Sequence, residues 1–161
     1  PGSPELLLAY GTALTSTGRG TRATEPLQRA AQADPGNWHI LNTLGVAYEQ
    51  GGMSERARQY FRDALALSPG EPSIMSNLAL SHALSGEAET AERMLREAMI
   101  RPGAEPTVRQ NLALVIALQG RFEEAEDMAR FDVTPAMAQA NMAYVRAMLT
   151  SRRSYDSLRA D

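Results

Sequence analysis

Residues 38–69, WHILNTLGVAYEQGGMSERARQYFRDALALSP, set a pattern that the rest of the chain copies. Leu44-Gly45, Tyr48, Gly52, Ala57, Phe61, Ala64 and Pro69 mark it. A step of about 34 residues toward the N-terminus lands on Tyr10-Gly11, Leu14, Gly18, Ala23, Leu27, Ala30 and Pro35. The same step the other way lands on Leu78-Ala79, His82, Gly86, Ala91, Leu95 and Ala98, with Pro102 one place early. A third step reaches Leu112-Ala113, Ile116, Gly120 and Ala125, after which the pattern decays. Apolar residues at helical spacing on both sides of a recurring glycine predict helical hairpins in tandem, hence an all-α chain.

The units read as residues 4–37, 38–71, 72–105 and 106–134. In the first, Leu7, Leu8, Tyr10, Ala13 and Leu14 form one apolar stripe, and Thr17-Gly18-Arg19-Gly20 ends it. Pro26 falls where the second helix should be well under way, and proline is poorly tolerated there. That helix is therefore expected to start late, with Thr24 as its N-cap, or to kink. In the second unit Gly45, Ala57 and Ala64 permit close approach of helices while Leu44, Tyr48, Tyr60 and Phe61 fill the space between them. Gly51-Gly52 makes the turn and Ser54 opens the next helix. The third unit starts at Glu71-Pro72, turns at Ser85-Gly86 and returns over 88–100. The fourth runs over 106–118, turns at Gln119-Gly120, and returns in a short helix interrupted by Phe131-Asp132-Val133. Thr134-Pro135 reads as an N-cap followed by proline at the first helical position. It launches a last helix over 135–150, which caps the stack by hiding its final apolar edge. Residues 151–161 read as a loosely held polar tail, with Tyr155 and Leu158 in one short turn. Pro1-Gly2-Ser3 reads as the scar of a removed tag.

Composition narrows the chemistry. A hydrophobic fraction of 43% argues against disorder, and a net charge of -3 gives no reason to expect a nucleic acid or a membrane surface as partner. All 16 basic residues are arginine, so every cationic contact is a planar, permanently charged guanidinium. The absence of cysteine removes disulfides, thiol catalysis and cysteine-ligated metals. His39 and His82 lie in different units with no acidic pair at ligand spacing, so a packing role is expected and no metal. Glu123-Glu124 opens a helix, where the dipole favours negative charge. There is no phosphate loop, nucleophile elbow or HExxH. No enzyme, catalytic residue or cofactor is expected.

The period, the glycine of each turn and the alternation of small and large residues resemble the tetratricopeptide repeat. The resemblance implies a right-handed superhelix of four helical hairpins plus a C-terminal capping helix. It also implies that the first helix of each hairpin lines a concave wall, exposed at the second, fifth, ninth and twelfth positions of each repeat. Here the ninth position reads Thr12, Val46, Leu80, Leu114 and the twelfth Thr15, Glu49, Ala83, Ala117. The fifth reads Leu8, Asn42, Ser76, Gln110. The expected partner-binding residues are therefore Asn42, Val46, Glu49, Ser76, Leu80, Ala83, Gln110, Leu114 and Ala117. An apolar strip, Val46-Leu80-Leu114, would run between a polar row and a small-residue row, suited to an amphipathic helix or an extended segment. The competing expectation is that the chain's own last helix or tail lies across part of that strip. The carboxylate-clamp form of this fold relies on lysines paired with asparagines; lysine is absent, and Arg109 is the only inner arginine.

Residues 111–149 carry a second likeness. Asn111 to Leu114, Gly120 to Glu126, Ala129 to Pro135 and Asn141 to Leu149 resemble the Tad/Flp pilus-assembly tetratricopeptide family, usually called TadD. Its pattern joins an Asn-Leu-Ala-Leu helix to an Ala-Arg-x-Asp-x-x-Pro junction and an Asn-x-Ala-Tyr-x-Arg-x-Met-Leu helix. The resemblance implies an outer-membrane lipoprotein on the periplasmic face, acting like a pilotin on the secretin or on another Tad component. The lipobox cysteine of that family is not among these residues. The alternative from the repeats alone is a cytoplasmic peptide-binding adaptor of a chaperone or regulatory complex.

Overall fold

The glycines that the repeat aligns do the same work in each unit. Gly18, Gly52, Gly86 and Gly120 take φ of 72°, 75°, 87° and 82°, the left-handed backbone that a side chain disfavours. In the computed structural model, which describes residues 2–159 and side chains as far as residue 150, these turns separate helices paired as antiparallel hairpins. The pairs are α1 (Pro4–Ser16) with α2 (Gly20–Ala33), α3 (Trp38–Gln50) with α4 (Ser54–Leu67), α5 (Pro72–Leu84) with α6 (Ala88–Met99), and α7 (Pro106–Leu118) with α8 (Phe122–Ala129). A last helix, α9 (Pro135–Arg159), follows. No strand occurs among the described residues.

Which helices touch fixes the curvature. Among the described residues α1, α3, α5, α7 and α9 contact one another in series, whereas α2, α4, α6 and α8 contact only odd-numbered helices. Helices on the short side of a bent stack crowd together and those on the long side spread apart. The odd-numbered helices therefore form the inner wall of a superhelix, and α9 joins that wall as a fifth inner helix.

The close approach within the first three hairpins rests on a small residue facing a large one. A Cβ built on Gly11 would overlap the Leu27 side chain, and one built on Gly45 would overlap the Phe61 ring. Leu27 and Phe61 are fully buried, as are Ala79 and Leu95 at the same register in the third unit. Each unit is also tied to the next through polar atoms. Gln50 Nε2 donates to the Thr15 carbonyl (2.8 Å) and Gln28 Nε2 to the Tyr48 hydroxyl (2.6 Å). Arg58, buried between units, donates to Ser85 Oγ at 2.8 Å. One repeat later Glu92 occupies the corresponding place and accepts from Gln119 Nε2 at 2.7 Å, so the same bridge is built with the opposite charge. Glu92 further receives Arg96 (2.7 Å) and Arg121 (2.8 Å), and both arginines also hold Glu124 at 3.0 and 2.5 Å. Burial pushes the Glu92 carboxyl up, but the hydrogen bonds from Gln119, Arg96 and Arg121 outweigh it and hold the group below its ordinary value. Arg121, against some desolvation and with help from Arg96, holds Glu124 down as well.

Several local expectations are corrected. The second helix does not start late: α2 begins at Gly20 with Arg19 as its N-cap, and Thr24 Oγ1 donates to the Thr21 carbonyl inside the helix. Pro26 sits buried within α2; the packing of Ala23, Leu27 and Ala30 offsets the one amide that proline removes. Ser54 does open α4, as its first residue, and its hydroxyl donates to Glu49 Oε1 at 2.7 Å. The third unit's second helix stops at Met99, with Ile100 as its C-cap. The last helix does not end near residue 150. It continues to Arg159 because no proline or glycine follows residue 135 to stop it, so the expected tail begins inside α9. The end of that tail, residues 160–161, and Pro1 of the expected scar lie outside the described residues, as do the side chains of Tyr155 and Leu158.

Two outcomes follow from this packing. Phe61→Ala should cost about 3–5 kcal/mol, and Gly45→Ala should destabilise because its methyl group meets the ring. The double variant should be more stable than the sum of the two, since removing the ring frees space for the methyl; strict additivity in urea denaturation would show that the two residues do not share that space. Because Glu92 and Glu124 sit below their ordinary value of 4.5 when folded, their stabilisation is complete above that pH and is lost as pH falls through their folded values. Glu92→Gln should therefore flatten the acid limb of the stability profile, and an unchanged limb would contradict the network's role.

Candidate functional site

The inner wall carries a row of amides. Asn77 Nδ2 donates to Asn42 Oδ1 at 3.0 Å, and Asn111 Nδ2 donates to Ser76 Oγ at 2.9 Å. These bonds tie α3 to α5 and α5 to α7 on the concave side. They border a cleft of about 370 Å³ that opens at the N-terminal ends of the three helices. Trp38 and His39 form one side of it, their rings stacked with centroids 3.6 Å apart and planes 24° apart. Glu71 and Glu105, the N-caps of α5 and α7, stand at its rim.

A second, apolar pocket of about 320 Å³ lies beside it, where α7 meets α8 and α9. Its origin is a missing side chain. The register that places Leu27, Phe61 and Leu95 in the first three units places Ala129 in the fourth, opposite Ala113. Two small residues face each other with Ala138 of α9 packed against them, and the space beside them is left open, lined by Leu114, Val133, Met142, Tyr144, Val145 and Met148. The junction after α8 holds this end in place. The Asp132 and Val133 amides donate to the Ala129 carbonyl at 3.0 and 3.1 Å. Arg109 donates to Asp132 Oδ1 at 3.2 Å and lies 5.4 Å from the Phe131 ring centre. Thr134 Oγ1 accepts from the Met137 amide at 3.3 Å, which caps the start of α9.

The expected groove residues separate into three groups. Leu114 (36% exposed) and Gln110 face the apolar pocket, and Asn42 lines the cleft. Val46, Leu80 and Ala83 are half-buried: Val46 packs on the core of the first two units, Leu80 and Ala83 on that of the last two. Glu49 is also half-buried, with Oε1 accepting from Ser54 and Oε2 enclosed without a partner. Ser76 and Ala117 are buried, contrary to expectation, although Ser76 still lines the cleft. Ser76 is taken up by Asn111, and Ala117 is enclosed in the core cluster that Met142 and Val145 of α9 enter. The last helix thus covers the C-terminal end of the small-residue row at Ala117 and lines, rather than fills, the pocket at Leu114.

Several lining residues escaped the sequence reading. Asn77 and Asn111 recur at one register, as do Glu71-Pro72 and Glu105-Pro106; aligning those pairs would have found them. Trp38 has no counterpart in the other units and gave no such signal. His82 serves packing and polar contact, its Nδ1 lying 3.0 Å from Glu87 Oε2. Among the described residues no group of histidine and carboxylate side chains can hold a metal ion, and no helix is long and apolar enough to cross a membrane.

Tetratricopeptide repeat models match residues 8–72, 72–97 and 106–130. No curated protein sequence matches the chain significantly. Among solved structures, a thermophilic TPR protein of Thermus thermophilus superposes with a TM-score of 0.77 at 22% identity, over 91% of this chain and 83% of that one. Pseudomonas aeruginosa pilF superposes with 0.69 at 22% identity, over 98% and 75%. The Yersinia enterocolitica type III secretion chaperone SycD, solved with a peptide of the translocator YopD, gives 0.59 at 19% identity, over 69% and 90%. The O-GlcNAc transferase of Thermobaculum terrenum gives 0.71 at 25% identity over 82% of this chain, which spans only 26% of that protein. With its repeats matched from residue 8 to residue 130 and its hairpins stacked as a superhelix, the chain belongs to the tetratricopeptide repeat family, a scaffold for protein–protein interaction.

Proposed function

We propose that this scaffold is a non-catalytic, pilotin-like assembly factor of a Tad/Flp pilus, holding a segment of the secretin or of another Tad component along its inner wall. In this reading it works at the periplasmic face of the outer membrane, tethered there by a lipid anchor. The observation that carries the proposal is the run 111–149. Repeat packing alone demands neither an Asp132 that ties the end of α8 to Arg109 nor a long α9 with Met142, Tyr144 and Met148 turned toward an open pocket. Those positions coincide with the junction and final helix that the resemblance to the Tad family rests on. SycD, which shares the fold, was solved in complex with a peptide of the translocator YopD, and that supports a peptide segment as the ligand here.

Retention of the native secretin, or of another Tad component, on the immobilised chain tests the proposal. Leu114→Glu should weaken that retention about tenfold or more, with helicity by circular dichroism unchanged because Leu114 is already partly open. Leu80→Glu should do the same at some cost in stability, since Leu80 also packs on the core. Failure to retain any Tad component would end the pilus reading, and retention indifferent to both variants would remove the groove.

A further inference from the structure

Arginine is nearly absent from the first four inner helices. α1, α3 and α5 contain no arginine, α7 contains only Arg109, which is committed to Asp132 and Phe131, and the arginines of the fifth inner helix, α9, begin only at Arg146, which lies over the Phe122 ring at the far end of the stack. The outer helices α2, α4 and α6 carry Arg22, Arg29, Arg56, Arg58, Arg62, Arg93 and Arg96. At the cleft between α3, α5 and α7 the carboxylates have no arginine partner among the described residues. In the cleft, Glu71 accepts only from its neighbour Ser73, at 3.4 Å from the amide and 3.0 Å from the hydroxyl, and the Glu105 side chain makes no hydrogen bond or ion pair among the described residues. Farther along α3, Glu49 keeps Oε2 enclosed without a partner. The same cleft presents the Trp38 ring, the kind of surface on which a guanidinium or ammonium group stacks favourably.

We infer that this cleft is the subsite for a basic side chain of the bound segment. The ligand is thus an extended, net-positive peptide whose arginine or lysine enters between Glu71, Glu105 and Trp38. The apolar pocket fixes the second anchor. Residues Thr107, Val108 and Asn111 of α7 line the cleft, while Gln110, Ala113 and Leu114 of the same helix line the pocket. The two sites therefore lie roughly 5 Å apart along the α7 axis, at about 1.5 Å of rise per residue. A large apolar side chain about two to four residues from the basic one reaches it in an extended chain. The carboxylates steer and orient the ligand, and the apolar anchor in the pocket supplies most of the holding energy. This chemistry is the reverse of a clamp for an acidic C-terminus. The inference rests on the groove proposed above but commits to no particular partner.

Trp38 is the single tryptophan, so its fluorescence reports on the cleft directly. The probes are tryptophan-free synthetic peptides: one set tiling the secretin and the other Tad components, and one generic set. The generic set pairs Arg with Leu at the stated spacing, Glu with Leu, or Arg with Ser. The Arg–Leu peptides and the basic-apolar stretches of the tiled set should perturb Trp38 and bind best. Glu71→Gln with Glu105→Gln should weaken that binding about tenfold while leaving the fold intact, because glutamine keeps the acceptor that caps α5. Added salt should weaken binding to the wild type more than to the double variant. Binding of generic Arg–Leu peptides but of no Tad segment would keep this inference and sink the pilus reading. Preference for acidic or neutral Tad segments would do the opposite. No binding by any peptide, or affinity unchanged in the double variant, would overturn the inference. So would a dimer of the chain that this variant makes monomeric, because it would give the cleft to a second copy.

Discussion

A small residue on the first helix of each of the first three hairpins, meeting a large residue on the second, is the contact on which everything else depends. Gly11 against Leu27 and Gly45 against Phe61 leave no room even for a methyl group. The helices are thereby held close at one fixed register, and repetition of that register turns a row of hairpins into a curved stack. None of these hairpins encloses its own core: the first buried cluster runs from Leu14 to Leu78 and the second from Met75 to Val145, each crossing repeat boundaries. Curvature then follows, with odd helices touching in series and even helices spread apart. An inner wall exists because of that asymmetry.

The site arises where the same rule is relaxed. Ala129 stands at the register of Phe61 and Leu95, so the fourth hairpin lacks its large residue and a pocket remains. Without other support that end would be the weakest part of the stack. The Arg109–Asp132 pair and the Thr134 cap restore a defined path into α9, whose Met142 and Val145 seal Ala117 while Tyr144 and Met148 stay at the surface. Stability has been moved from the hairpin interior to the junction. The space released is on the concave side, adjoining a cleft lined with amides and carboxylates. Polar bridging between units on the outer layer is built with Arg58 in one repeat and Glu92 in the next.

Much of this was legible in the residues. The spacing of Gly18, Gly52, Gly86 and Gly120 placed every hairpin turn, Pro72, Pro106 and Pro135 placed helix starts, and the small-and-large register placed the core. The local misreadings share one cause, which is that tertiary packing overrides single-residue signals. Pro26 is tolerated inside α2 because its neighbours are buried, and Thr24 donates to the Thr21 carbonyl within that helix instead of capping it. At the site, Leu114, Gln110 and Asn42 fell where a positional rule put them. Ser76 and Ala117 did not, because that rule knows nothing of the Asn111 hydrogen bond or of a fifth inner helix. The pocket itself was encoded at Ala129, yet a small residue shows its consequence only when the two partners it fails to fill are placed in space.

The central claim is that the inner wall is open while residues two positions away are sealed. The chain lacks cysteine, so single cysteines introduced at 46, 80 and 114, and separately at 44, 78 and 112, report one site each when treated with a maleimide. The account predicts rapid modification at 46, 80 and 114, fastest at 114, and strong protection at 44, 78 and 112 until the chain unfolds. Equal protection of both sets would mean that the helices close into a bundle with no groove, and the account would fail.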